Sequence, residues 1–206
     1  MVELHAAWTD AVLAAVTWVV GGRLLLRADA HGRTVGLGLL LVATAATVGA
    51  VRFAGQEQLA VPHAGLSGLA ACVGLPCVGA GWASAVYLPD RGEVVRRYVF
   101  GVLLVVAAMV WWMPLARTGL GAVGMLAVLV AAAGSARTDR WASAMGALGA
   151  GLTMAVGLAI GTDGELMGFP RVGWFHLGLA LGHGLLGEGI RTLQAVPGED
   201  VARRSP

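Results

Sequence analysis

Seven hydrophobic stretches, each about long enough to cross a bilayer, fill nearly all of this 206-residue chain. A hydrocarbon core about 30 Å thick takes roughly 20 apolar residues per helix. No water reaches that core to bond a free N–H or C=O, so each stretch must satisfy its own backbone as an α-helix. The stretches fall at about 8–26, 35–51, 59–88, 98–116, 120–136, 141–160 and 172–190. The expected fold is therefore all-α: a polytopic bundle of seven transmembrane helices in one domain over 1–192. A polar tail over 193–206 is expected to be disordered. Pro76 inside the third stretch predicts a kink or a re-entry there.

Composition agrees. Hydrophobic residues make up 57% of the chain and charged residues 13%, too apolar for a soluble domain of this size. All 14 basic residues are arginine, and the chain has neither Lys nor Asn. That bias points to a GC-rich, bacterial genome. Without lysine no retinal Schiff base can form, so a rhodopsin-type pigment is excluded despite the helix count. The start, Met1-Val2-Glu3-Leu4-His5, has acid where a signal peptide needs basic charge, so the first span is expected to be retained. Cys72 and Cys77 are five apart within one span, a poor spacing for a disulfide on a helix, and read as small buried hydrophobes.

The connections set the orientation. Alternating them puts Arg23, Arg27, Arg33, Arg91, Arg96, Arg97, Arg137, Arg140, Arg191, Arg203 and Arg204 on one side, and Arg52, Arg117 and Arg171 on the other. The positive-inside rule makes the first side cytoplasmic. The N-terminus is then outside, the C-terminus cytoplasmic, and the location the inner (cytoplasmic) membrane. Trp8, Trp111, Trp112, Trp141 and Trp174 fall near the expected interfaces. Gly157/Gly161 and Gly178/Gly182 are small-xxx-small pairs. They are read as packing spans six and seven within the chain, or as homodimer faces.

Ionisable groups inside a span are costly and so become candidates for function. Asp10 stands near the outer start of span one and reads as a metal ligand, a proton-handling acid or a helix-start carboxylate. His176 and His183 lie two turns apart on span seven, about 10 Å along the axis. Too far apart to share one ion without a bend, they read as ligands or as packed, hydrogen-bonded histidines. His63 and Ser67 share a face near the outer start of span three. Arg52 and Glu57 are expected to pair with each other or with Asp10, and Glu188 with Arg191. The outer half thus collects His5, Asp10, Arg52, Glu57, His63, His176, Asp163 and Glu165.

His and Asp are the residue types that bind zinc or iron, and a metal-bound water could hydrolyse a lipid ester or amide. The leading reading makes Asp10 and His176 catalytic, with His176, His183, Asp10 and His63 as metal ligands. Two alternatives stand beside it. One is an acid-catalysed prenyl or terpene cyclase, with Asp10 or Glu188 as proton donor. The other is a non-catalytic sensor, assembly partner or small transporter. Spans four to six carry almost no polar residues to line a path, which weighs against transport. The bilayer itself, and a lipid or prenyl substrate, are the expected partners. Nothing resembles a nucleotide-binding loop, a rhomboid Gly-x-Ser-x-Gly arrangement or a nucleic-acid surface.

With seven spans, an early Asp10 and His176 on the last helix, the chain resembles the superfamily of alkaline ceramidases, progestin/adiponectin-type receptors and Per1-like proteins. The resemblance implies a zinc site near one membrane face. Two positions depart from that pattern. The family has two histidines four apart on the last helix, where this chain has His176 and Ala180. It has Ser followed by His four residues later on an early helix, where this chain has His63 then Ser67. The Thr9-Asp10 opening and the His176-Leu177 helix are also similar to small uncharacterised bacterial seven-span membrane proteins, a likeness that implies no activity.

Overall fold

The computed structural model describes residues 2–195, an all-α bundle with one short hairpin. The helices are α1 (Val2–Arg27), α2 (Ala30–Phe53), α3 (Ala60–Leu69), α4 (Leu75–Tyr87), α5 (Gly92–Val110), α6 (Pro114–Ser135), α7 (Arg140–Ala155) and α8 (Arg171–Ala195). A π-helical turn, Ala70–Gly74, joins α3 to α4 in one column, and a second, Val156–Ile160, extends α7. Among the described residues the helices make seven columns. Five of them, Leu4–Arg27, Ala30–Phe53, Glu57–Tyr87, Leu115–Ser135 and Arg140–Ile160, are long and apolar enough to cross a membrane. The other two are α5, with Glu93, Arg96 and Arg97 near its start, and α8, with His176, His183, Glu188 and six glycines.

Pro76 causes a π turn rather than a re-entrant loop. Proline lacks the N–H of the helical ladder, and its ring crowds the carbonyl four residues back. The extra residue per turn absorbs that clash, and the column runs on through α4. The fourth and fifth columns divide earlier than expected. The fourth ends at Val110, and α6 begins at Pro114, not near residue 120. A proline at a helix start loses nothing, because that N–H has no partner anyway. The residue before it is also disfavoured in the α region. The last helix continues to Ala195, beyond the expected boundary at 192. The remainder of the expected disordered tail, 196–206, lies outside the described residues.

Polar contacts tie the bundle at both ends. At one end Asp29 caps α2 by accepting from the Gly32 N–H (3.0 Å), and it accepts a second bond from Gln194 Nε2 at the end of α8 (2.7 Å). His31 is buried there with both ring nitrogens occupied, by Ser84 Oγ (2.8 Å) and the Pro89 carbonyl (2.9 Å). Asp139 caps α7 at this end as well. Nine of the arginines read as cytoplasmic stand at this end; the remaining two, Arg203 and Arg204, lie outside the described residues. The opposite end carries Arg52, Arg117, Arg171 and a hairpin that pairs Glu165 with Pro170 and Leu166 with Phe169. Its turn, Met167-Gly168, has positive φ at both residues (56° and 75°), as a tight two-residue hairpin requires. The Phe169 ring packs on His5 (5.1 Å) and Trp174 (5.5 Å), which lays the hairpin against α1 and α8.

Glycines set the helix spacing. α7 and α8 meet backbone to backbone: a Cβ at Gly182 would stand 2.6 Å from Thr153 Oγ1 and 3.0 Å from the Gly149 carbonyl oxygen. Gly178 faces Val156 in the same seam. The Gly178/Gly182 face is thus taken up inside the chain, whereas Gly157 and Gly161 face open space. Large apolar side chains such as Val61, Met109, Leu115 and Leu158 point outward. A soluble monomer rarely exposes so much apolar surface, and this one suits a lipid surround. Cys72 and Cys77 are free and buried.

Candidate functional site

A cavity of about 280 Å³ opens in the bundle half that carries the hairpin. Its walls come from α1, α2, the α3–α4 column, α6, α7 and α8; α5 contributes nothing. Both π turns reach it, through Ala70 and Ala71 of the first and Gly157 and Leu158 of the second. The lining is mainly apolar, with Asp10, His63, His176 and His183 as its ionisable members. Such a space, apolar with a few convergent polar groups, is the usual form of a small-molecule site.

Asp10 and His176 meet on its wall. Both are buried, and His176 Nδ1 stands 3.4 Å from Asp10 Oδ1. Thr9 Oγ1 is equally far from the same nitrogen. These contacts are long for hydrogen bonds, as acid–base pairs often are before substrate binds. The Thr9 hydroxyl donates to the His5 carbonyl (2.9 Å), so toward His176 it can only accept. Carboxylate and hydroxyl therefore both call for a proton on Nδ1, which leaves the Nε2 lone pair free.

Arg52 fixes the second histidine. Its Nη1 lies 3.2 Å from His63 Nδ1. A guanidinium has no acceptor, so His63 Nδ1 must accept and the ring proton must sit on Nε2. His63 Nε2 and Asp10 Oδ2 border one space over Gly49: a Cβ there would overlap Asp10 Oδ2 and stand 2.8 Å from His63 Nε2. Asp10 Oδ2 has no hydrogen-bond partner of its own. Asp10 thus faces His176, while His63, held by Arg52, borders the same space over Gly49. Arg52 also reaches Glu57 at 4.0 Å, one of the pairings the sequence suggested.

The four expected metal ligands are not brought together as one group. Among the described residues no three His, Cys, Asp or Glu side chains lie close enough together to hold an ion. The reason is geometric. Asp10 and His176 turn their facing atoms to each other, Arg52 occupies His63 Nδ1 and brings a positive charge, and His183 lies two turns deeper on α8. The zinc or iron reading thus finds no such grouping to support it, whereas the Asp10–His176 arrangement suits proton transfer.

Other expectations sort cleanly. Ser67 lines the cavity beside His63. Glu188 pairs with Arg191 (Nε to Oε2, 2.8 Å) at the far end of α8, remote from the cavity. Asp163 and Glu165 are in the exposed connection and its hairpin, not in the cavity. Thr9 entered only as part of the Thr9-Asp10 likeness, and Thr118 and Thr153 were not singled out by the sequence reading, yet Thr9 abuts His176 and the other two line the cavity. A lone threonine in an apolar stretch, as in Leu152-Thr153-Met154, was the available signal. Compared with known proteins, the chain has no significant match to any family model, curated protein or solved structure.

Proposed function

We propose that the chain is a multi-pass membrane enzyme that hydrolyses a lipid ester or amide by acid–base chemistry without a metal. The observation that carries this reading is the Asp10–His176 pair on the wall of an otherwise apolar cavity. His176 Nε2 takes a proton from water as that water attacks the acyl carbon. Asp10 holds the Nδ1–H and stabilises the imidazolium that forms. The imidazolium then returns the proton to the departing alkoxide or amine as the acyl bond breaks. Gly157 and Leu158 line the cavity and are exposed on the outer surface of α7's extension, which supports entry of the substrate sideways from the bilayer.

The chain would cross the inner membrane seven times, with its N-terminus outside and the site in the outer half. The arginine-rich end of the bundle supports this. A fluorescent protein fused to the C-terminus is expected to fluoresce, and a periplasm-dependent phosphatase fused there to stay inactive; the opposite pattern overturns the orientation.

A second reading, a prenyl cyclase with Asp10 as proton donor, draws on the buried and unpartnered Asp10 Oδ2. One experiment separates them. The purified chain is placed in nanodiscs of total bacterial lipid supplemented with prenyl lipids, and the lipids are followed by mass spectrometry. Hydrolysis gives a free acid that accumulates with the wild type and falls by about 10²–10⁴-fold in Asp10→Asn and His176→Gln. An isomer of unchanged mass, lost in Asp10→Asn, favours the cyclase. An unchanged lipid profile with the wild type overturns both and leaves a non-catalytic membrane protein.

A further inference from the structure

His183 lies one α8 segment deeper than the pair just described, and it is an anomaly. Only 1% of it is exposed, it lines the cavity, and neither ring nitrogen has a hydrogen-bond partner. On the facing helix, Thr153 is in the same condition: it is buried, it lines the cavity, and Oγ1 has no partner. Thr153 packs against Gly182, the residue before His183. A buried polar atom without a partner costs roughly 1–3 kcal/mol, and this seam carries three. No charged side chain lines the cavity near them; Asp10 is the only carboxylate on its wall, at the other end.

We propose that His183 and Thr153 form an inner subsite for a neutral hydroxyl group on an apolar ligand. A neutral imidazole offers one donor and one acceptor, and threonine offers both. A hydroxyl can accept from one and donate to the other. A carbonyl accepts only, and a charged group has no counter-ion there and would carry a large desolvation cost. Between this subsite and the Asp10–His176 end the walls are apolar, Leu13, Val42 and Leu179 among them. His176 and His183 are separated by seven residues of helix, about 10 Å along the axis. The ligand is therefore polar at both ends and apolar between, with its oxygens about that far apart. The inference concerns binding alone and stands whether or not Asp10 and His176 turn a substrate over.

The test compares octane-1,8-diol with octan-1-ol, which share a chain and differ by the terminal hydroxyl. Each is titrated into the full chain in phosphatidylcholine nanodiscs, with tryptophan fluorescence as the readout. Partition of each alcohol into lipid is common to all variants and cancels when their diol-to-alcohol affinity ratios are compared. The wild type is expected to prefer the diol by about tenfold beyond that common partition, the worth of one good hydrogen bond. Thr153→Val, nearly isosteric, and His183→Leu are each expected to remove that preference. In histidine-¹⁵N-labelled protein the diol, and not octan-1-ol, should move the His183 ring resonances. Equal diol-to-alcohol ratios in the wild type and both variants overturn the proposal and leave water alone at the subsite. So does a His183 resonance unmoved by saturating diol.

Discussion

Replacing Gly79 by valine is expected to cost about 3 kcal/mol, the upper end for overpacking a filled interior. At Gly79 the obstacle is backbone. A Cβ there would overlap the Gly124 carbonyl oxygen and stand 2.8 Å from its Cα and 2.9 Å from its carbonyl carbon. From the other side, a Cβ at Gly124 would stand 2.7 Å from the Leu75 carbonyl carbon and 2.8 Å from Pro76 Cα. No side chain can rotate out of the way, so α4 and α6 must move apart. That loosens the fully buried cluster of Val78, Trp82, Met125 and Val128. Small residues matter in this way in lipid, where close van der Waals packing rather than hydrophobicity joins helices. Thermal unfolding in detergent or nanodiscs should shift down by roughly 6–12 °C for a chain this long. Gly22→Ala is the control: nothing lies within 4 Å of its Cβ position, and better helix propensity is worth up to about 1 kcal/mol. A Gly79→Val midpoint within a degree of the wild type would show that α4 and α6 do not touch there.

Hydropathy made the all-α class and the helix positions legible, because length and apolar content are properties of a segment alone. Boundaries were less legible where proline intervened: Pro114 opens a helix rather than ending one, and Pro76 is absorbed by a π turn. Asp10 and His176 stood out as ionisable groups in apolar surroundings, and the fold brings them into contact. What they do together was not legible, since it depends on ring nitrogens and rotamers. His63 Nδ1 is occupied by a guanidinium from α2, and His176 Nδ1 faces a carboxylate from α1. Three histidines and an aspartate in one half-bundle therefore need not converge on one point, and here no three of them do. His31 shows the converse: it falls between the expected spans at 8–26 and 35–51, yet it is buried and doubly bonded across to Ser84 and Pro89.

On the proposed hydrolysis, Gly49→Ala should lower lipid turnover by about 100-fold while leaving the fold intact. Its Cβ would enter the space shared by Asp10 and His63, overlapping Asp10 Oδ2 and standing 3.0 Å from Asp10 Cγ and 2.8 Å from His63 Nε2. Unlike Gly79, this glycine meets only side chains. Asp10 and His63 can turn aside, so the midpoint of unfolding should stay within a few degrees of the wild type. Turning aside breaks the alignment of Asp10 with His176, now 3.4 Å apart. A displacement of about 1 Å in a positioning group can cost on the order of 10²-fold in rate. The effect should not add to that of Asp10→Asn, because both act through one carboxylate. The double variant is then expected to be no slower than Asp10→Asn alone. If Gly49→Ala keeps full turnover where Asp10→Asn has lost it, the carboxylate acts from some other position than the one beside His63. If the two losses multiply, Gly49 influences turnover by a route that does not pass through Asp10.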